Sequence, residues 1–254
     1  RIISNVETGI STGISPYEND EVHQISVSPM ELPRVKRDPD LKKELYVNPT
    51  FQTWYLYFQT TKPPFDDVRV RRAIAHAIDR ESICRILLQG TGAPAYTMLP
   101  PGFPGYTGDT HRAHQEYNPA LAKQLLAEAG YPGGRGLPPV ECWLRGASRD
   151  MVSEAIQAML RENLGIDMKI LGQDRKVYVD NMYQYNIPMS LITFVYDFVD
   201  PHNMLGMVWH SRPKGTGRHD WANKDFDQLV DDAASEMNPT KRAAMYMEAE
   251  EILA

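Results

Sequence analysis

The stretch KPPFDDVRVRRAIAHAIDRESI (Lys62–Ile83) decides how the rest of the chain is interpreted. After its two prolines, Asp66 or Asp67 can cap a helix and complement the positive end of the helix dipole. Apolar residues then recur from Val70 to Ile78 at the spacing of one helical face, and no glycine-rich loop that could cradle a phosphate precedes them. We expect the arginines of the stretch to form a solvated face: Arg69, Arg71, Arg72 and Arg80. The stretch therefore predicts an architectural helix rather than a phosphate-binding or catalytic one.

The composition is that of an ordinary globular protein. The 254 residues are 42% hydrophobic and 24% charged, which suits one large domain or two modest ones. The formal net charge of −6 argues against nucleic acid as a partner, because phosphate binding needs a basic face. No apolar run approaches the roughly 20 residues that a membrane-spanning helix requires. Cys84 and Cys142 lack metal-ligand spacing, and both a disulfide and two free thiols remain open for them.

Downstream of residue 50, strand and helix patterns alternate. The segments with strand-like patterns are 50–60, 138–146, 166–172 and 188–196. The further segments with helical spacing, marked by caps such as Asn118 and Gly165, are 117–132, 149–165, 174–185, 223–236 and 239–253. This alternation predicts an α/β fold, a layered mixed sheet with flanking helices. Residues 1–50 are weakly patterned and contain loops and short polar helices.

The segment PMSLITFVYDFVDPHN (residues 188–203) contains the strongest candidate for a functional residue. Its strand is apolar on both faces, which is typical of a central strand, and it ends abruptly at Asp197. Ligands of open α/β sheets bind outside the carboxyl ends of strands, where this carboxylate stands. Asp197 can therefore contact a ligand or stabilise its own loop by hydrogen bonds, and both roles stay open. Asp200 precedes Pro201, a pairing that is typical of a helix cap followed by the first helical residue.

The remaining chemistry-bearing side chains give weaker signals. Trp54 and Trp143 can either pack in the core or line a cleft. His111 and His114 lie three apart in a loop without a carboxylate or cysteine at ligand spacing, so we predict no metal site. No nucleophile-elbow motif and no recognisable nucleophile–base pair occur. Their absence lowers the expectation of catalysis, although acid pairs can lie far apart in sequence, and our prediction is a non-catalytic protein that needs no cofactor.

Six motifs occur in the order and approximate spacing of a known family. They are residues 54–83, the Gly/Pro loop of 90–106, 117–132, 155–170, 196–203 and 223–246. On these motifs the chain resembles the family-5 extracellular solute-binding proteins, the peptide- and nickel-type receptors of ABC importers. The resemblance is strong over residues 51–254 and loose over residues 1–50. It implies one lobe of a two-lobed, periplasmic-binding-protein type II-like fold. Residues 1–50 would be a lead-in from the N-terminal lobe and its linker, and residues 51–254 the C-terminal ligand-binding lobe, truncated at its end.

The resemblance also implies roles for particular residues. In peptide-binding members the first Asp of a D-Y-x-D-P-like motif holds the α-ammonium of the ligand, and that position is Asp197 here. The aromatic residue three positions earlier, usually Trp in the family, is Phe194, and the following Tyr is replaced by Phe198. An arginine for the carboxylate of the ligand would be Arg145 or Arg149, although either can equally be a solvated loop charge.

The resemblance further implies partners and a location. The chain would capture extracellular di- or oligopeptides for a membrane permease and its ATPase. We expect a monomer in the periplasm or at the cell surface, with any signal sequence and lipid anchor outside this chain, which begins with Arg1. A second hypothesis within the family is an oligosaccharide receptor that stacks sugars on Trp54, Trp143 and Phe194. Two hypotheses from different classes of protein are the sensor lobe of a transcriptional regulator and, less in keeping with the motifs, an enzyme.

Overall fold

The computed structural model describes residues 13–48, 50–146, 150–211 and 220–254. The chain divides into two compact units, Arg1–Pro49 with Glu81–Pro94 and Thr50–Arg80 with Ala95–Ala254. Residues 81–94 thus group with the first unit. The assignment of residues 1–50 to a second lobe stays a prediction.

The second unit is built on a four-stranded mixed sheet. Its strands are β1 (Gln52–Phe58), β2 (Glu141–Arg145), β3 (Lys169–Gln173) and β4 (Met189–Val195). The spatial order is β1-β4-β2-β3, with β1 antiparallel to β4 and β2 parallel to both β3 and β4. The strand that was predicted to be central is therefore an interior strand, and the layered mixed sheet is confirmed.

Helices flank this sheet, and short helices also occur in the described part of the first unit. The α-helices are α1 (Ser15–Glu18), α2 (Leu32–Arg37), α3 (Leu41–Glu44), α4 (Val68–Ala77), α5 (Arg80–Ser82), α6 (Arg112–Gln115), α7 (Pro119–Glu128), α8 (Met151–Leu164), α9 (Arg175–Tyr183), α10 (His202–Met204), α11 (Lys224–Ser235) and α12 (Pro239–Leu253). Two π-helical turns follow α5 and α10 directly, Ile83–Leu87 and Leu205–Trp209, and a 3-10 turn covers Pro132–Gly134. In the parts of the chain that the structure describes, no helix is long and apolar enough to cross a bilayer.

Local capping explains where the predicted helices begin and end. Asp67 accepts a hydrogen bond from the main-chain N–H of Arg69, and Asn118 accepts one from that of Leu121, as N-cap side chains do. Gly165 ends α8 with φ of 69°, a left-handed conformation that costs glycine least. The three predicted caps are therefore confirmed.

The predicted solvated arginine face is confirmed for Arg69 and Arg72, which are exposed, and is wrong for Arg71 and Arg80, which are half-buried. Arg71 donates to the carbonyl of Phe65 at 2.6 Å, and burial lowers the pKa of its guanidinium. Arg80 donates to the main-chain carbonyl of Gln115 at 2.7 Å and to its side-chain oxygen at 3.0 Å. Arg69 reaches a main-chain carbonyl at the end of α7 at 2.7 Å. Arg69 and Arg71 thus tie the end of α7 and the loop before α4 to that helix, and Arg80 of α5 is tied to α6, because a guanidinium has donors enough to serve several carbonyls at once.

A hydrophobic core lies on one face of the sheet. It includes Tyr55 and Tyr57 of β1, Ile192 of β4, and side chains of α9, α11 and α12 such as Phe226 and Tyr246. Each large apolar side chain buried here stabilises the fold by about 1.5–3 kcal/mol. The core thus joins α9, α11 and α12 to the sheet face of Ile192, which lies three residues before the end of β4.

No disulfide joins Cys84 and Cys142. Cys142 is buried, and this burial raises the pKa of its thiol to about 12. Such a thiol is an apolar packing group rather than a nucleophile or a metal ligand. Among the described residues, no group of three or more His, Cys, Asp or Glu side chains is arranged to hold a metal ion.

Candidate ligand-binding site

Asp197 lies two residues beyond the end of β4, and its side chain is exposed. Its main-chain N–H donates to Oδ1 of Asn203 at 2.8 Å, while its carboxylate Oδ2 is 3.5 Å from Nδ2 of the same amide. Asn203 is fully buried. The loop-stabilising hydrogen bond is thus made chiefly by the main chain of Asp197, and its carboxylate faces solvent with one long contact.

The residue before Asp197 is anchored in the core. Tyr196 is buried, and its hydroxyl donates to the carbonyl of Met98 at 2.5 Å. The hydroxyl of Thr53 on β1 donates to the same carbonyl at 2.8 Å. The rings of Phe103 and Tyr196 meet edge to face, with centroids 4.6 Å apart. The Pro/Gly loop around residues 95–107 therefore braces the carboxyl end of β4.

A buried carboxylate holds that loop in turn. Glu250 of α12 accepts hydrogen bonds on Oε1 from the main-chain N–H groups of Met98 and Leu99, at 2.8 and 2.9 Å. Its Oε2 accepts the hydroxyls of Thr97 and Thr107. Burial raises the pKa of Glu250, and the four donors counteract this rise only in part. The side chain is a hub that ties α12 to the loop.

The turn after Asp197 is fastened to α11 and α12. Asp200 accepts the main-chain N–H of His202 at 2.9 Å, which is a capping contact at the start of α10, although the helix begins at His202 and not at Pro201 as predicted. Arg242 of α12 binds the same carboxylate through two hydrogen bonds of 2.7 and 2.9 Å. Arg242 also donates to the carbonyl of Ala233 at 3.0 Å and to the hydroxyl of Tyr246 at 3.2 Å. Burial alone would raise the pKa of Asp200, but the Arg242 and His202 hydrogen bonds outweigh it and the pKa is lowered.

The structure separates the aromatic candidates. Trp54 pairs with Thr193 across β1 and β4, whereas Phe194 pairs with Thr53, so Trp54 and Phe194 point to opposite faces of the sheet. Trp143 pairs with Ser190 and shares the face of Phe194, where both pack against the core. Trp54 is 49% exposed on the other face. The three rings therefore do not form one stacking platform on a single sheet face.

Of the two arginine candidates, Arg145 falls within the described residues. Arg145 is the last residue of β2, is exposed and is on the same face as Trp143. Arg149 lies outside the described residues. The carboxylate-binding role of either arginine stays a prediction.

Several residues beside Asp197 were not predicted from the sequence to bind a ligand. Exposed apolar side chains flank Asp197, namely Val195 (61%), Phe198 (46%) and Val199 (51%). The sequence does contain a sign of them, because the run FVYDFV (residues 194–199) stays apolar beyond the end of the strand, where loops are normally polar. Asn203 gave no comparable signal, because only the folded turn brings its amide to Asp197.

Comparisons with known proteins identify the family. Residues 14–216 match the family described as "Bacterial extracellular solute-binding proteins, family 5 Middle". The oligopeptide-binding protein OppA of Bacillus subtilis (strain 168) is 29% identical over 84% of this chain and 40% of its own length. The periplasmic murein peptide-binding protein MppA of Escherichia coli (strain K12) is 30% identical over 84% of this chain and 40% of its own length.

Two solved structures with similar folds are also described as peptide-binding proteins. A dipeptide-binding protein from Pseudoalteromonas sp. SM9913, in complex with Met-Leu, matches with a TM-score of 0.82 and 25% identity, over 98% of this chain and 49% of that one. The murein tripeptide-binding protein MppA of Escherichia coli matches with a TM-score of 0.78 and 27% identity, over 94% and 47%. The chain thus spans less than half the length of these relatives. Its sequence motifs, its mixed sheet and these matches all agree, and the chain belongs to family 5 of the bacterial extracellular solute-binding proteins.

Proposed function

We propose that this chain supplies one lobe of a two-lobed, non-catalytic receptor that captures di- or oligopeptides for an ABC importer. The observation that carries the proposal is the exposed carboxylate of Asp197, which stands at the carboxyl end of an interior strand on a braced loop. Relatives described as oligopeptide-binding and dipeptide-binding proteins support the ligand class.

The chemistry of Asp197 suits the amino terminus of a peptide. A carboxylate binds a ligand ammonium through short, charge-assisted hydrogen bonds, which are stronger than hydrogen bonds between neutral groups. The exposed side chains of Val195, Phe198 and Val199 supply apolar surface beside that charge. Arg145 is the described candidate for binding a ligand carboxylate, because a guanidinium can donate two parallel hydrogen bonds to it.

The proposal includes partners and a location. The receptor would deliver its ligand to a permease and its ATPase, and it would act as a monomer in the periplasm or at the cell surface. Relatives described as periplasmic support the location. The oligosaccharide hypothesis loses support because Trp54 lies on the opposite sheet face from Trp143 and Phe194.

Titration calorimetry of the proposed two-lobed receptor, here called the full-length product, tests the ligand class. We expect di- to pentapeptides to bind with dissociation constants of about 1 μM or tighter, and N-acetylated versions to bind roughly 100-fold more weakly because they lack the ammonium. Cello-oligosaccharides and deoxycholate serve as ligands of different chemistry, the latter because a relative from Escherichia coli is described as a probable deoxycholate-binding protein. Binding of either of these without any binding of peptides would refute the proposal.

The 254-residue chain alone is expected to bind the same peptide at least about 100-fold more weakly than the full-length product. Small-ligand sites enclose about 70–90% of the ligand surface, and a single lobe provides only one wall of such an enclosure. The measurement is calorimetry on both proteins with one peptide, after circular dichroism has shown that the chain is folded. Equal affinities would mean that the ligand is not enclosed between two lobes.

A further inference from the structure

The fully buried side-chain amide of Asn203 contacts both the main chain and the carboxylate of Asp197. Its Oδ1 accepts the main-chain N–H of Asp197 at 2.8 Å, and its Nδ2 lies 3.5 Å from the carboxylate of the same residue. Nδ2 also lies 3.5 Å from the sulfur of Met207, one turn further along. A buried amide is costly unless its polar atoms are paired, so these contacts hold the side chain in one orientation.

The position of Asp197 in the backbone makes the contact consequential. The N–H of Tyr196 donates to the carbonyl of Phe51 at 3.0 Å, which is the last sheet-like hydrogen bond at this end of β4. The next N–H, that of Asp197, is taken by the side chain of Asn203 instead. Asn203 thus fixes the main chain at the first residue beyond that hydrogen bond, which is the residue that carries the candidate carboxylate.

The turn that carries Asn203 is itself held by the ion pair between Asp200 and Arg242. The carboxylate of Asp200 accepts a hydrogen bond from the N–H of His202 and one from each terminal guanidinium nitrogen of Arg242. The start of α10, which carries Asn203, is thereby fixed to α12. The amide has the rigid support that a positioning group needs.

We propose that Asn203 is a positioning residue of the ligand site, which orients Asp197 to receive the ammonium of the ligand. This inference rests on the proposed function, because it presumes an ammonium ligand at Asp197. Asn203 would set the preference for ligands with a free amino terminus by acting through Asp197, without contacting the ligand.

The test compares one dipeptide with its N-acetylated form on the full-length protein. We expect Asn203→Ala to weaken binding of the free dipeptide roughly tenfold and that of the acetylated form less than about twofold, since a lost hydrogen bond to a charged or main-chain group is of that size. The double variant D197N/N203A should bind the free dipeptide no more weakly than D197N alone, because both substitutions remove the same interaction.

A matched control separates positioning from general destabilisation. Leu205→Val changes a fully buried side chain in the next turn that has no described contact with Asp197. It should lower the melting temperature while leaving the ratio of the two affinities unchanged. If Asn203→Ala weakens both peptides equally, as a structural residue would, the positioning role is overturned. If the unsubstituted protein shows no preference for the free amine, the proposed function itself fails, which is a different result.

Discussion

Replacing Glu250 with alanine is expected to lower the free energy of unfolding by about 3–5 kcal/mol. The change leaves the N–H groups of Met98 and Leu99 without their acceptor, and each buried unsatisfied donor costs about 1–3 kcal/mol. It also removes the carboxylate that accepts the Thr97 and Thr107 hydroxyls, although hydroxyls can rotate towards new partners. Urea unfolding of the chain, followed by circular dichroism, measures the loss.

Glu250→Gln is the matched control for this prediction. The glutamine keeps the oxygen that accepts both N–H groups, and its amide can donate to the hydroxyls, so we expect a loss of less than about 1 kcal/mol at neutral pH. Equal losses for Ala and Gln would show that the charge matters and not the hydrogen-bond acceptors.

The unsubstituted chain and Glu250→Gln should also differ in how the free energy of unfolding depends on pH. Because burial raises the pKa of Glu250 above its ordinary value of 4.5, the folded chain keeps this proton at pH values where the unfolded chain has lost it. The unfolding free energy of the unsubstituted chain therefore falls as pH rises from about 4.5 through the folded pKa. Glu250→Gln lacks this component, so it should gain stability relative to the unsubstituted chain over that interval. A difference that is constant with pH would contradict the raised pKa.

Asp197→Asn in the full-length product is expected to weaken peptide binding about 100-fold, equivalent to about 2.7 kcal/mol. The substitution keeps the shape of the side chain and removes the charge that pairs with the ligand ammonium, and loss of one partner from an enclosed charge pair is costly. Stability should change by less than about 0.5 kcal/mol, because the side chain is exposed. Calorimetry measures the affinity, and thermal unfolding measures the stability.

Asp167→Asn is the control for this second prediction. Asp167 is likewise exposed and pairs on the surface with Arg161, so its loss removes one negative charge without altering the loop around Asp197. We expect its peptide affinity to stay within about twofold of the unsubstituted protein, since exposed ion pairs contribute little. Unchanged affinity in Asp197→Asn would exclude an ammonium-binding role for that carboxylate.

The types of secondary structure could be predicted where local signals agreed. Asp67, Asn118 and Gly165 act at helix ends through contacts with residues at most five positions away, so their roles are visible in a short window of sequence. The interior position of β4 was also predictable, because a strand that is apolar on both faces must be covered on both. The arginine face was predicted wrongly for Arg71 and Arg80, since helical spacing cannot show that they reach main-chain carbonyls of other segments, at Phe65 and Gln115.

The site was predictable only in part, and α12 shows why. Arg242, Tyr246 and Glu250 recur every four residues on one face of this helix, and Tyr246 and Glu250 are buried. A charged residue on a buried face indicates that a partner must exist, but the sequence does not name it. Glu250 and Met98 are 152 positions apart, and Arg242 and Asp200 are 42 apart.

By itself the sequence determined the element types, the mixed α/β architecture and the family, because helical and strand periods, caps and ordered motifs are all local features of the chain. Only the tertiary structure decided that Trp54 lies on the opposite face of the sheet from Trp143 and Phe194, because a side chain's face depends on strand pairing and register. It also decided that the main chain of Asp197 is held by Asn203 while its carboxylate stays exposed. Hydrogen bonds of this kind depend on positions within a few tenths of an ångström, which are set by the packing of the whole core.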